Sequence, residues 1–326
     1  MIAITGGGTG GHLVIAKAIK EELNKRGIKP IFIGSTYGQD RKWFENDNGW
    51  QEVYFLDTSG VVNKKGLNKI FSLSNIIKHS FKVNKIFQKH NIKKVFSVGG
   101  YSAAPASFGA VLFQKELFIH EQNAYMGKLN KLLKPFAKRV FSTFFYNDPY
   151  PIREEFFTKA RQRNEIKTII FLGGSQGAKA INNFAFEVAK LKKYKIIHQT
   201  GKLDYQRCKE FYTKNNLDVE YFEFDKNLVD KISQADFAIS RAGASTLFEL
   251  VSNQLPALFI PYPYAAANHQ YYNAKWLVDK KLGFLSLEKD LDINILNKIT
   301  NIEEISKNLA NINSKNGSKI IVDGML

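Results

Sequence analysis

Short apolar runs alternate with amphipathic stretches along the whole chain. In the first half the apolar runs fall at Ile2–Thr5, Pro30–Gly34, Glu52–Leu56, Val95–Val98, Leu117–His120 and Arg139–Ser142. Between them, apolar residues spaced by three and four predict helices near Gly11–Arg26, Asn68–Lys89, Ala103–Leu112 and Lys128–Leu133. The second half repeats the theme, with strands expected at Thr168–Leu172, Lys195–Gln199, Val219–Phe222, Phe237–Ser240, Ala257–Pro261 and Gly283–Ser286. Its helices are expected near Ala178–Leu191, Tyr205–Lys214, Leu228–Gln234, Ser245–Val251 and Gln270–Asp279. Strands that alternate with helices predict an α/β fold of parallel sheets with helices on both faces. Pro149 and Pro151 interrupt the pattern between the halves. Each pushes the residue before it out of the helical region, so this segment reads as a linker. The expected organisation is therefore two Rossmann-like domains, 1–147 and 166–326, joined by a linker over 148–165. Open α/β sheets bind ligands beyond the carboxyl ends of their strands, so the two domains are expected to face each other across a cleft.

A chain of 326 residues is long enough for two packed cores. The longest apolar stretches, near Tyr101–Phe113 and Leu255–Ala267, are broken by Pro105, Pro256, Pro261 and Pro263. Neither approaches the roughly 20 residues that span a bilayer. Met1–Thr5 runs directly into glycines with no basic segment before it, so no leader is expected. Cys208 is the single cysteine; it cannot form an internal disulfide and cannot by itself build a zinc site. On these features the chain reads as cytosolic.

Charge changes the picture. Lysine and arginine number 47 against 30 aspartates and glutamates, a formal charge of +17. Such an excess implies an anionic partner: a phosphate-bearing ligand, an acidic membrane surface or a nucleic acid. From Thr58 to Lys115 there is no acidic residue, while ten lysines occur there. Within this stretch Ile70, Leu73, Ile77 and Phe81 recur at helical spacing, flanked by Phe71, Ile76, Val83, Ile86 and Phe87. A stripe of this kind is ordinarily the core face of a helix. Here the apolar positions exceed one face and lysines ring them, so the Asn68–Lys94 segment is expected to rest on anionic lipid.

Candidate chemistry gathers where strands end. Thr5-Gly6-Gly7-Gly8-Thr9-Gly10-Gly11-His12 follows the first strand and opens a helix. Its glycines let backbone N–H groups approach an anion, and the helix start adds partial positive charge. Gly6, Gly8 and Gly11 also satisfy the dinucleotide fingerprint, but the second strand ends Ile33-Gly34-Ser35 without an acid for a ribose hydroxyl. Ser97–Ser102 and Phe171–Ala178 repeat the strand, glycine, helix arrangement, and Ser175 is a donor for a phosphate oxygen. In Ser240–Glu249 a helix begins at Ser245 and Thr246; Glu249 suits ribose hydroxyls, or else completes a capping box. Asn268-His269-Gln270 with Asn273 offers amides and an imidazole for sugar hydroxyls, or a plain helix cap. His79, His90, His120 and His198 lack metal-ligand spacing, and no Gly-x-Ser-x-Gly elbow occurs.

Taken together these motifs resemble the MurG family of peptidoglycan glycosyltransferases, over nearly the whole chain. Gly7–His12, Val98–Ser102 and Gly173–Ala178 with Asn182 are similar to its three glycine loops. His120-Glu121-Gln122-Asn123-Ala124 with Gly127, Asn130 and Lys131 is similar to its acceptor-side signature. Arg241–Thr246, Glu249, His269, Gln270, Asn273 and Ala274 are similar to its donor signature. The resemblance implies a GT-B fold and inverting transfer of N-acetylglucosamine from UDP-GlcNAc to the C4 hydroxyl of the MurNAc in lipid I, forming lipid II for the cell wall. It implies no cofactor and no active-site metal. His12 would be the catalytic residue. Thr9, Gly10, Gly11, Asn123, Arg153, Ser175, Ala244, Ser245, Thr246, Glu249 and Gln270 would bind the donor, with backbone near Phe224–Leu228 holding the uracil. Gly99, Gly100, Tyr101 and Glu121 would lie on the acceptor side. The protein would act as a peripheral enzyme on the cytoplasmic face of the bacterial inner membrane, with no nucleic-acid partner. The chain departs from the family pattern at Ile15, where proline is usual, and at Tyr150–Ile152, where Arg153 lacks its usual Gly-Asn-Pro lead. Its C-terminal segment is short, which leaves open on sequence whether a final helix returns to the first domain.

Other readings remain open on sequence. A UDP-GlcNAc epimerase, or another UDP-sugar transferase, shares the two-domain plan and would differ in needing no acceptor or a different one. An NAD-dependent oxidoreductase rests on the weak glycine fingerprint. A nucleic-acid binder rests on charge alone and would show a steep salt dependence.

Overall fold

A computed structural model describes residues 1–58, 67–225 and 227–326, with side chains from residue 74 onward in the helix that begins at Leu67. Two parallel sheets account for the strands. The first contains β1 (Ile2–Thr5), β2 (Ile31–Ser35), β3 (Glu52–Leu56), β4 (Lys94–Ser97), β5 (Glu116–His120) and β6 (Arg139–Phe141) in the order β3-β2-β1-β4-β5-β6. The second contains β7 (Thr168–Leu172), β8 (Lys195–Gln199), β9 (Val219–Phe222), β10 (Phe237–Ser240), β11 (Ala257–Phe259) and β12 (Phe284–Leu285) in the order β12-β11-β10-β7-β8-β9. Both are the same doubly wound topology, and every expected strand is present to within a residue or two. The strand order reverses between β1 and β4 and between β7 and β10. At such a reversal the loops diverge and leave a crevice for a ligand.

Burial explains why these runs are strands. All of β1 and β2 is buried, as continuous apolar runs covered on both faces require. Ala3, Ile31, Ile33, Val95, Leu117 and Ile119 pack against Val83, Ile86, Phe87, Ala106, Ala110 and Leu133 from the helices Leu67–Lys89, Ala104–Leu112 and Lys128–Leu133. Elsewhere in this unit Phe32 meets Phe44 and Trp50 at ring separations of 4.7 and 5.1 Å. In the second unit Ile169, Phe171 and Ile196 pack with Ile181, Phe184, Ala185 and Val188 of the helix Lys179–Lys190. Full burial of each such Val, Leu, Ile or Phe side chain is worth about 1.5–3 kcal/mol.

The chain divides into two compact units, residues 1–152 with 316–326, and residues 153–315. This differs from the expected boundaries at both ends. The break falls between Ile152 and Arg153, within the expected linker. The last residues, assigned above to the second domain, pack on the first. Their helix Gly317–Met325 buries Ile321, Val322 and Met325 and lies on the helix Gly10–Lys25, with Arg26 bonded to Asp323 at 2.6 Å. The apolar pattern of so short a segment does not announce which sheet it covers. Short helices at Asp40–Phe44, Thr143–Tyr146, Glu155–Thr158 and Ile302–Leu309 also lie outside the sequence expectation.

Candidate functional site

In the first unit the glycine loops after β1 and β4 lock together. Gly7 N–H donates to the Gly99 carbonyl at 3.3 Å. Gly100 has φ +79°, and a Cβ there would come within 2.5 Å of the Gly7 oxygen and 3.5 Å of the His12 ring, so only glycine permits this approach. His12 stands in the first turn of the Gly10–Lys25 helix, and its Nδ1 is 2.9 Å from Thr9 Oγ1. The loops and the imidazole thus form one surface at the carboxyl end of the sheet. Tyr101 lies against Gly8 and Gly38: a Cβ on Gly8 would meet its ring at 2.5 Å, and one on Gly38 its hydroxyl at 2.6 Å. Burial raises the pKa of that hydroxyl, and Asp40 adds to the effect.

Asp40 was not singled out from sequence. It is fully buried, and its carboxylate accepts from Gly8 N–H and, at 2.9 Å, from Ser35 N–H. The acid absent from the end of β2 therefore lies five residues further on and shapes the glycine loop. The available signal was a lone aspartate after Gly38, which is weak.

Glu121 is 2% exposed, and burial raises its pKa. Its oxygens accept from Asn123 N–H at 3.0 Å, Gly127 N–H at 2.9 Å and Asn130 Nδ2 at 2.9 Å. It organises the loop that presents Asn123 instead of pointing outward. His120 beside it is buried and kept neutral, its pKa lowered to about 3 chiefly by burial and then by His12.

In the second unit the glycine loop after β7 is held by the loop after β8. Lys202 N–H donates to the Ser175 carbonyl at 3.0 Å. Asn182 Nδ2 donates to the Thr200 carbonyl at 3.0 Å and to Asp204 at 2.7 Å, while its oxygen is 2.9 Å from His198 Nε2. Ser175 itself is exposed. Across the strand-order reversal, the helix Ala244–Ser252 begins after its cap, Gly243, and offers backbone N–H groups at Ala244, Ser245 and Thr246. With the cap at Gly243, Glu249 lies too far along the helix to complete a capping box. It is half-buried, and burial raises its pKa to about 7 while Arg153 pulls it down. Arg153 rides over the Phe156 ring at 5.4 Å.

Gln270 sits one residue into the helix His269–Val278, and its oxygen accepts from Tyr262 N–H at 2.9 Å. Asn268 occupies the cap position in a left-handed conformation without a side-chain cap bond. Asn273 is buried and donates to the Ala242 carbonyl at 3.1 Å, tying this helix to the Ala244 turn. The second unit carries Ser175, Ala244–Thr246, Glu249, Arg153 and Gln270. The first gathers Thr9, Gly10, Gly11, His12, Gly99, Gly100, Tyr101, Glu121 and Asn123. Of the Phe224–Leu228 segment, Lys226 lies outside the described residues. Among the described residues no group of three or more histidines, cysteines, aspartates or glutamates is placed to hold a metal ion.

The Leu67–Lys89 helix divides its apolar residues. Ile76, Val83, Ile86 and Phe87 are core, whereas Ile77 and Phe81 are 60% and 57% exposed. The side chains of Ile70, Phe71 and Leu73 lie outside the described residues, as do Lys64 and Lys65. Lys78, Lys82 and Lys85 are exposed. Lys89 is instead bonded to Glu52 at 2.8 Å, and Lys94 to the Leu326 carbonyl at 3.0 Å. Sequence reasoning missed a neighbouring segment, where Leu132 and Phe136 are exposed beside exposed Lys128, Lys131 and Lys134. Six helical residues are too few to show a stripe. Among the described residues no helix is long and apolar enough to cross a membrane.

Residues 2–142 match the glycosyltransferase family 28 N-terminal domain and residues 168–324 its C-terminal domain. The chain is 54% identical to a Campylobacter fetus protein named UDP-N-acetylglucosamine--N-acetylmuramyl-(pentapeptide) pyrophosphoryl-undecaprenol N-acetylglucosamine transferase, with 100% of this chain and 99% of the relative covered. It is 53% identical to a protein of that name from Nitratiruptor, over 94% of each chain. Acinetobacter baumannii MurG superposes with a TM-score of 0.80 at 26% identity, covering 100% of this chain and 98% of that one. With its two Rossmann-like units in the GT-B plan, the chain belongs to glycosyltransferase family 28 and, within it, to the MurG family of N-acetylglucosaminyltransferases.

Proposed function

We propose that this enzyme transfers N-acetylglucosamine from UDP-GlcNAc to the MurNAc C4 hydroxyl of lipid I, forming lipid II with inversion at the anomeric carbon. The observation that carries the reading is the 54% identity to a transferase of that name along the full chain. The site chemistry supports it. The helix start at Ala244–Thr246 and the Ser175 hydroxyl suit the donor diphosphate, whose leaving oxygen gains charge as the glycosidic bond breaks. Glu249 accepts from the ribose hydroxyls, Arg153 adds positive charge, Gln270 and Asn123 contact the sugar, and backbone from Phe224 to Leu228 reads the uracil. His12, held by Thr9, takes the proton from the attacking hydroxyl, since an imidazole titrates near neutral pH. Thr9, Gly10 and Gly11 offer further backbone N–H groups, and Gly99, Gly100 and Tyr101 shape the acceptor side, with Glu121 supporting it from below.

The basic first unit supports docking on the anionic cytoplasmic face of the inner membrane, where a lipid-linked acceptor resides. Exposed Ile77 and Phe81 enter the interface, and Lys78, Lys82 and Lys85 meet lipid headgroups.

Incubation with UDP-GlcNAc and a short-chain lipid I analogue, followed by mass spectrometry, tests the reading. Disaccharide product and UDP are expected only when both substrates are present. Conversion of UDP-GlcNAc without acceptor would make the enzyme an epimerase and overturn the assignment.

A further inference from the structure

Among the described residues Arg163 is the largest of the fully buried side chains, 1% exposed, and no carboxylate among them bonds to its guanidinium. Burial lowers its pKa to about 9, with Arg161 adding to the fall and Asp236 opposing it, so it stays charged at neutral pH. Besides a bond from Nη1 to the Arg161 carbonyl at 2.5 Å, its hydrogen bonds run to groups at two helix ends. Nε donates to the Ala235 carbonyl at 3.2 Å and Nη2 to the Ile232 carbonyl at 3.4 Å, at the end of the helix Leu228–Gln234. Nη1 donates to the carbonyl of Asn253, the residue that caps the helix Ala244–Ser252, and Nη2 to Asn253 Oδ1 at 2.6 Å. Asn253 Nδ2 in turn donates to the Phe156 carbonyl at 3.1 Å, three residues beyond Arg153. Helix ends leave carbonyls without intrahelical partners and carry partial negative charge, so one cation satisfies two of them at once.

The two helices share a second property. Their opposite ends belong to the nucleotide contacts proposed above: Asn227 caps one and Leu228 opens it, and Ala244–Thr246 opens the other. We infer that Arg163 and Asn253 are positioning residues for the donor, a rear clamp that fixes both helices and the Arg153 segment in register. The inference rests on the proposed UDP-GlcNAc site. A helix is stiff along its axis, so loosening one end displaces the N–H groups at the other, and a misplacement of about 1 Å is costly where several contacts converge. Neither residue belongs to the motifs that carry the family resemblance, and neither touches the donor in this account.

Arg163→Lys and Asn253→Asp test the clamp while retaining buried volume. Lysine keeps the charge but cannot reach both helix ends with one planar group. Aspartate keeps the acceptor for Arg163 and loses the donor to Phe156. Each is expected to raise the KM for UDP-GlcNAc about tenfold, with kcat at saturating donor and the KM for a lipid I analogue changed less than about twofold. A merely structural role lowers the thermal midpoint and the active fraction but leaves the KM of the surviving enzyme in place. An unchanged donor KM in either soluble variant would overturn the inference, and so would equal rises in the KM of both substrates. A wild-type protein that neither binds nor turns over UDP-GlcNAc would instead overturn the functional reading beneath it.

Discussion

Replacing Glu249 by glutamine is expected to remove a pH-dependent penalty built into the second unit. The carboxyl lies half-buried on the Ala244–Ser252 helix, and burial moves its pKa from 4.5 to about 7 against the opposing pull of Arg153. A raised acid pKa means that, between those values, the folded chain keeps a proton the unfolded chain has released. Stability then falls as pH rises through that window and levels off above about 7. The gap in pKa, at about 1.4 kcal/mol per pH unit, corresponds to about 3 kcal/mol, and partial solvent contact reduces it to about 1–3 kcal/mol. Glutamine is neutral throughout, so Glu249→Gln lacks this slope. Urea unfolding of both proteins from pH 5 to pH 8 reads the difference, which should grow in favour of the variant as pH rises. Parallel stability curves would refute the reasoning. A matching signature is expected in binding. Ribose hydroxyls favour the charged carboxylate, so UDP-GlcNAc should expel protons near pH 7 from the wild type and not from the variant, as calorimetry in buffers of different ionisation heat will show.

His12→Ala should lower kcat by about 10²–10⁴-fold while leaving donor affinity intact; near-normal turnover would exclude it as the base. Gly100→Ala places a Cβ 2.5 Å from the Gly7 carbonyl at φ +79°, and should cost about 2 kcal/mol or more in urea unfolding of the first unit; an unchanged midpoint would contradict the loop geometry. Ile77→Asp with Phe81→Asp alters exposed positions only, so fold should persist while co-sedimentation with anionic vesicles falls; equal sedimentation would dismiss the membrane face.

The strands, their alternation with helices in an α/β plan and the glycine loops were legible because each rests on a local signal. A buried parallel strand must be apolar throughout, and a loop that brings Gly7 against Gly99 must be glycine. The residues that support the loops were hidden for the converse reason. Asp40, Arg163 and Asn253 act across sequence separations that no periodicity encodes, and an isolated Asp, Arg or Asn reads as surface. The segment that forms the Gly317–Met325 helix was grouped with the second domain with its return to the first left open, because only its packing on Gly10–Lys25 decides. Of the apolar residues of the Leu67–Lys89 helix, Val83 and Phe87 go inward and Ile77 and Phe81 outward, a division that one-dimensional spacing did not make.

The central claim is transfer of GlcNAc by direct displacement on the α-linked donor. Its most direct test is the proton NMR spectrum of the product made from UDP-GlcNAc and a lipid I analogue. A β-configured anomeric proton on a GlcNAc joined to the MurNAc C4 oxygen is the result this account predicts. An α-linked product, or attachment at another oxygen, would contradict it.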